Sequence, residues 1–363
     1  YYSTIDANVI SIATDNAYGR LTINGGTFTG KASVYQTDVQ NTGSANVKAS
    51  VKNGNFNGMV SGETNGTIAV SGGTFSSAVK EEYCALGYQP TEKNQTTGMY
   101  GVKEVSENAA YVNSEGKLTY GDLLKLINDK NLQNVTIKMI KDVDITREDA
   151  SGVFINDGKT VDINGHTLTS WVVITVKGQI KDSTNGKGIV VVEDNGVGKV
   201  AMLTAMNAAQ GQMAVYDNGT LTNGVTGYRL YNFQINVIRS ASVAKQTNGK
   251  YSAAFIFQPQ FTNLDAYRLL EQEKGMSHIR STLKVTWNGN PYTLEVYATT
   301  LRDYGAVSKD GASKGIKITV TGIESLTEAK KISAVPTIVS DTLMTKSGEQ
   351  MIGSIPATAA TEG

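Results

Sequence analysis

Apolar and polar residues alternate in short runs along most of this chain, and turn-forming residues interrupt the runs every few positions. A period of two puts one set of side chains on a buried face and the other in water, so it predicts β-strands. In the first third the alternation is built into a repeat. Leu21-Thr22-Ile23-Asn24-Gly25-Gly26-Thr27-Phe28 returns as Ala49-Ser50-Val51-Lys52-Asn53-Gly54-Asn55-Phe56, and again as Ile68-Ala69-Val70-Ser71-Gly72-Gly73-Thr74-Phe75. Each copy holds two apolar residues around one small or polar residue, then a Gly two positions before a Phe. The Gly permits a sharp turn, and the Phe is placed to point back inward. The phenylalanines lie 28 and then 19 residues apart, coil lengths of a solenoid with extra residues looped out of the longer coil. Stacking would bring Ile23, Val51 and Val70 into one internal ladder and Phe28, Phe56 and Phe75 into another. The alternative is three unrelated hairpins of an ordinary sandwich.

The pattern then changes. Residues 78–85 have the composition of a short helical turn, Gly87-Tyr88-Gln89-Pro90 breaks it, and Gly98-Met99-Tyr100-Gly101-Val102 reads as a closing strand. Residues 118–131 carry the best helical signal of the first half. Asp122 caps its start, Leu123, Leu124, Leu126 and Ile127 form one apolar face, and Asn131 is a stop. Short strands follow at Val135-Thr136-Ile137, Val143-Asp144-Ile145, Val153-Phe154-Ile155, Val161-Asp162-Ile163, 172–176 and 189–192, with turns at Asp157-Gly158, Asn164-Gly165, Gly178 and Asn185-Gly186. This is a second solenoid-like block, with the helix capping or flanking its coils.

From about residue 213 the strands look antiparallel. Phe233, Ile235 and Val237 alternate with polar residues, as do Leu283, Val285 and Trp287, Leu294 and Val296, and Ile316, Ile318 and Val320. One apolar and one polar face suit a two-sheet sandwich. Trp287-Asn288-Gly289-Asn290-Pro291-Tyr292 reads as a hairpin. One helix is expected from about Leu264 to Lys274, capped by Asn263 and ended by Gly275. The expected organisation is therefore all-β: solenoid repeats over 1–106, a second β-helix-like block over 107–200, an antiparallel sandwich over 201–353 and a linker over 354–363.

Composition narrows the function classes. The 33 basic and 33 acidic side chains cancel, which argues against nucleic acid, whose phosphates require clustered positive charge. No long apolar run or basic amphipathic helix is present, so no membrane insertion is expected. Gly is abundant, with 38 residues, and Pro is scarce, with 5, as suits a chain that turns often without a collagen period. The single cysteine, Cys84, cannot form an internal disulfide and reads as a small buried hydrophobe. The small-residue run 355–361 and the absence of an initiator Met suggest an excised piece of something longer. Ile5, Val9, Ile10 and Ile12 have strand-like spacing, so the chain is expected to start inside the solenoid, with upstream coils or another copy covering that end.

Catalytic chemistry has little to stand on. His166 follows the Asn164-Gly165 turn and His278 lies just past the expected helix stop, and neither has partners for a triad or a zinc site. Parallel β-helices can house polysaccharide lyases and hydrolases, which need acid–base groups clustered on adjacent coils. The Phe-bearing coils offer Thr, Ser, Asn and Lys52 outward, without a carboxylate. Asp142, Asp144, Asp157 and Asp162 are denser, but Asp157 sits in a turn, and Asp144 and Asp162 alternate with apolar residues as solvated positions would. A column of exposed aromatics beside carboxylates would favour an enzyme. Glu193-Asp194-Asn195-Gly196 and Asp217-Asn218-Gly219 lack the EF-hand spacing and read as Asx turns. Lys284 and Lys317 fall on the polar parity, where a buried Lys–Asn isopeptide bond is not expected. Catalytic residues, metal ligands and cofactors are therefore all expected to be none.

"SGGTF", a short acidic stretch, "YCALGYQP" and a final strand, covering about residues 20–105, resemble the end of a β-helical repeat block in large cell-surface proteins of Gram-positive gut bacteria. "VDINGHTLTS" and "ITVKGQIKDSTNGKGIV" are similar to bacterial parallel β-helix domains. The C-terminal half resembles immunoglobulin-like modules of such proteins, without the Cys…Trp…Cys framework of antibody domains. The resemblance implies a right-handed parallel β-helix followed by an immunoglobulin-like sandwich. It also implies an extracellular location at the bacterial cell surface and a non-enzymatic structural or adhesive role, as a rigid rod that displays binding surfaces. Partners would be other copies of itself, flanking domains of a longer chain, or a host protein or glycan. The rival readings are a subunit of a homopolymeric surface filament and a polysaccharide-binding or polysaccharide-cleaving β-helix protein.

Overall fold

In the computed structural model, the first-third repeats stack coil on coil. The structure describes residues 11–13, 20–37, 47–62, 66–191, 203, 208–209, 211–221, 224–261, 265, 269, 278–287, 290–298, 316–335, 341–345 and 348–353. The chain divides into two compact units, Tyr1–Ala110 and Tyr111–Gly363. Its strands form about 6 turns of β-solenoid in all.

Each coil of the first unit contributes to two parallel sheets. Arg20–Ile23, Val47–Val51 and Gly66–Val70 form one. Ser11–Ala13, Thr27–Thr37, Asn55–Gly62 and Thr74–Phe75 form the other. The register sets Ile23 beside Val51 and Val51 beside Val70. It likewise sets Phe28 beside Phe56 and Phe56 beside Phe75. The three rings stack with centroids 5.0 and 4.9 Å apart and planes within 11° and 9° of parallel. Phe56 and Phe75 are fully buried and Phe28 is half-buried. Ile5, Val9 and Ile10 lie outside the described residues, and Ile12 lies in the strand Ser11–Ala13.

The turn between the two sheets explains the repeated geometry of the coils. Gly26, Gly54 and Gly73 have φ of +112°, +137° and +107°, a region that side chains rarely enter. The following Phe ring folds back over the glycine: a Cβ on Gly54 would lie 2.9 Å from the Phe56 ring and 3.2 Å from the Gly26 carbonyl oxygen. The inter-coil ladder runs straight through the corner. Asn55 N–H donates to the Gly26 carbonyl and Thr74 N–H to the Gly54 carbonyl, both at 2.8 Å.

The stack does not end on a bare edge. Past Phe75 the chain buries Val79, makes a 3-10 turn at Glu81–Tyr83 and forms a parallel bridge from Cys84 to Val70. It then returns antiparallel, with Tyr100–Glu104 pairing both Thr74–Phe75 and Tyr88–Pro90.

The second unit contains three-sided coils. Val135–Met139, Lys159–Asp162 and Gln179–Lys181 stack on one side. Val143–Ile145, Thr167–Ser170 and Ile189–Val191 stack on the second. Val153–Ile155 and Ile174–Val176 stack on the third. Inside, Ile137, Val161 and Ile180 form one ladder and Val143, Leu168 and Val190 another, all buried.

The helical segment is shorter than the sequence suggests. Leu118–Gly121 is a strand, and helix α1 covers only Leu123–Asn128. Asp122 caps it by accepting from Lys125 N–H, and Leu123, Leu126 and Ile127 are buried against Val135–Met139 and Val153–Ile155. Asp129 ends it and turns the chain through Asn131 N–H, so Asn131 is not the stop.

At its far end the solenoid passes into antiparallel strands. Gly227–Lys245 pairs with Ile189–Val191 and Gln212–Asp217, then with Tyr251–Phe261, which pairs with Ile316–Ile323. A separate sheet contains Asn290–Ala298, His278–Trp287, Asp341–Thr345 and Gly348–Gly353, with Ser333–Val335 on its second strand. Trp287 pairs with Asn290 at the end of the antiparallel pair His278–Trp287 and Asn290–Ala298; Asn288 and Gly289 of the expected hairpin lie outside the described residues. Of the helix expected at 264–274 only Asp265 and Leu269 are described, both helical. A further helix, α2 (Leu326–Lys331), is capped by Ser325, whose side chain accepts from Glu328 N–H.

The stacked rings set an order of stability effects. Phe56→Ala and Phe75→Ala should each cost about 3–5 kcal/mol, and Phe28→Ala less, in chemical denaturation of the whole chain. Equal, near-zero effects would show that the ring column is not a packed core.

Candidate functional site

Among the described residues, a dense network of buried charged and polar groups lies where the coil strand Ile189–Val191 meets the strand Gly227–Lys245. The loop Asp182-Ser183-Thr184-Asn185-Gly186-Lys187-Gly188 turns through left-handed backbone at Asn185 and Gly186, with φ of +60° and +84°. Asp182 is fully buried. Its carboxylate accepts from the N–H groups of Gly165 (2.9 Å), Thr184 (2.9 Å), Gly186 (3.1 Å) and Gly188 (2.8 Å), and from the Thr184 hydroxyl (2.6 Å).

The carbonyls of the same loop face a cation. Arg229 donates from Nη1 to the carbonyls of Gly186 (2.6 Å), Lys187 (3.1 Å) and Gly188 (3.3 Å), and from Nε to buried Asp217 (2.9 Å). Gln212 accepts from Asp182 N–H at 2.8 Å and donates back to the Asp182 carbonyl at 2.7 Å. Asn232 N–H donates to the Asn185 side chain at 2.7 Å. Tyr231 lies flat on Gly186, where a Cβ would fall 1.9 Å from the ring, and burial pushes its phenol above the usual tyrosine range. A buried carboxylate and a buried guanidinium thus hold one loop from its donor side and its acceptor side.

Two further buried charges do similar work. Asp162, expected to be solvated, is 1% exposed, because the next coil's turn covers it. Its Oδ1 accepts from Asn164 and Ser183 N–H groups, both at 3.0 Å. Lys159 shares the inward parity of Val161 and is buried. Its ammonium donates to the carbonyls of Leu126 (3.2 Å), Ile127 (2.5 Å) and Asp129 (2.6 Å) at the C-terminus of α1. That is where the helix dipole favours a cation. Burial holds the Lys159 pKa below its ordinary value, partly offset by Asp129.

The residues singled out from sequence are dispersed. His166 is half-buried in its turn, with Nδ1 3.4 Å from Asp142, which also accepts from Thr167 N–H at 2.8 Å. His278, Lys284 and Lys317 lie in strands, but their side chains are outside the described residues, as is all of Glu193-Asp194-Asn195-Gly196. Asp217 makes the expected Asx turn onto Gly219 N–H (3.0 Å) and also holds Arg229. Asp144 is exposed and accepts from the indole of Trp171 at 3.1 Å, and Trp171 and Phe154 are both large exposed aromatics. Cys84 is half-buried against the first unit's core. Burial first, and Glu81 second, push its thiol up to about 11.

Among the described residues no three His, Cys, Asp or Glu side chains gather as a metal site, and no helix is long and apolar enough to cross a membrane. No family model, curated protein or solved structure matches the chain. Sequence reasoning missed Lys159, Asp182 and Arg229. For Lys159 and Asp182 the signal was available: each continues the inward parity of an apolar strand, Val161 and Ile180 respectively. Arg229 gave none, because Tyr228, Leu230 and Tyr231 around it are also buried and no parity survives.

Replacing Asp182 by Asn puts an amide donor among five donors, so Asp182→Asn should cost at least about 2 kcal/mol in denaturant unfolding. An unchanged midpoint would mean that the loop holds itself. Cys84 should react slowly with Ellman's reagent at pH 8 and progressively faster as pH rises toward 11, since only the thiolate attacks. A rate that levels off by pH 9 would contradict the raised pKa.

Proposed function

We propose that the chain is a non-catalytic structural or adhesive module of an extracellular bacterial surface protein, with a right-handed β-helix leading into an immunoglobulin-like antiparallel region. The observation that carries the reading is the use made of the buried charges. Asp162, Asp182, Asp217, Arg229 and Lys159 all bind backbone groups or each other. Their charge is used to hold loops and a helix end in place, whereas a hydrolytic site needs carboxylates turned toward a substrate. The resemblance of "SGGTF…YCALGYQP" to β-helical blocks of surface proteins supports the location, and the antiparallel strands beyond the last coil support the immunoglobulin-like part.

The location is tested by immunolabelling. Antibodies against the chain should label intact cells of its source, and external protease should remove the label. Signal only after lysis would overturn the extracellular reading. Incubating the chain with acidic and neutral polysaccharides should release no new reducing ends or unsaturated products. Turnover abolished by a carboxylate substitution would make it an enzyme.

A further inference from the structure

On the first side of the second unit, a cleft of about 490 Å³ crosses three consecutive coils. The register that builds it sets Thr136 beside Thr160 and Thr160 beside Gln179. These positions alternate with the buried ladder Ile137, Val161 and Ile180, so they form an outward column. One step earlier, the pairing of Val135 with Lys159 brings Asn134 level with Gly158, and Lys177 follows on the third coil.

Glycine makes the depression. Gly158 has φ of +79° and no side chain, and it sits between the side chains of Asn134 and Lys177. Gly178 is equally obligatory, since a Cβ there would lie 2.3 Å from the Lys159 carbonyl oxygen and 2.4 Å from that of Asn156. The floor is therefore backbone, and the walls are two amides, two hydroxyls, the Lys177 ammonium and the Asp157 carboxylate. Unlike the buried charges of this unit, these six side chains are not spent on holding the chain: none makes a hydrogen bond or ion pair among the described residues.

The size lies in the range of small-molecule sites, and adjacent coils are about 4.8 Å apart, so the column offers polar groups at even steps over about 10 Å. Hydroxyls and amides at a regular spacing, with one charge of each sign at the rim, match a chain of hydroxylated rings. They do not match a lipid, which needs apolar walls, or a nucleic acid, which needs several cations. We propose that this cleft binds a short stretch of glycan lying across the three coils, with the ring hydroxyls on Thr136, Thr160 and Gln179. The proposal deepens the adhesive reading above and rests on it.

Titration of the whole chain with cello-, chito- and galacturonate tetrasaccharides, read by saturation-transfer NMR and calorimetry, tests it. At least one should bind, and Thr160→Arg, which fills the notch from an outward position, should weaken that binding about tenfold or more. Thr175→Arg, on a different outer face, should leave it unchanged. Thermal midpoints identify any variant that fails to fold, and Gln179→Ala at an exposed position then gives the same readout. Binding that survives both cleft variants would overturn this site while leaving an adhesive role intact. No binding of any of the three probes would overturn the glycan proposal, and immunolabelling would still decide the surface location separately.

Discussion

Hydrogen bonding of each coil to the next, in parallel and in register, is the constraint on which the described solenoid depends. Once Ile23 pairs with Val51, every residue along that strand is placed opposite its counterpart in the neighbouring coil. Side chains then stack in columns, and each column must tolerate its own repetition at about 4.8 Å. Aromatic rings do this by lying parallel, as Phe28, Phe56 and Phe75 do. Aliphatic residues do it by interlocking, and glycines by leaving space at the corners. A slip of one residue would turn a whole ladder outward, so the Gly-x-Phe corner acts as a register mark as well as a turn.

A parallel stack has no natural end, and its last coil offers unpaired donors and acceptors. Where the described coils end, the chain changes strand direction. Tyr100–Glu104 runs antiparallel against Thr74–Phe75 in the first unit. Gly227–Lys245 does the same against Ile189–Val191 in the second. Beside the second junction lies the loop 182–188, which joins the coil strands Gln179–Lys181 and Ile189–Val191. Burying Asp182 and Arg229 against that loop is costly in desolvation, but it fixes the N–H groups of Thr184, Gly186 and Gly188 and the carbonyls of Gly186, Lys187 and Gly188.

Much of this was legible from the chain alone. The repeated Gly-x-Phe spelled out the coil corners, and the Val-x-Ile pairs from Val143 to Ile163 spelled out the strands. Asp122 gave the start of α1 correctly. What failed was the reading of single polar residues against periodicity. Asp162 looks solvated by its neighbours, yet the turn of the next coil lies on it. Leu118 to Gly121 looks helical by composition, yet it pairs as a strand. Both outcomes are set by residues far away in sequence, and no local window contains them. The cleft beside Gly158 was hidden for the same reason: its residues form a surface only once three coils are stacked.

The strand Gly227–Lys245 has a mechanical consequence. Its 19 residues span about 60 Å if fully extended. Its first residues pair with the final solenoid coil, and its later ones with the antiparallel strand Tyr251–Phe261. Tension applied along it loads many ladder hydrogen bonds at once, in shear, and cannot peel them one at a time. Force entering through the antiparallel sheet therefore reaches the coils along this one strand, past the register shift between Asn236 and Ser240. The Arg229–Asp217 pair and the buried Asp182 sit beside the start of that strand, so the load would cross where buried charges brace the last coil.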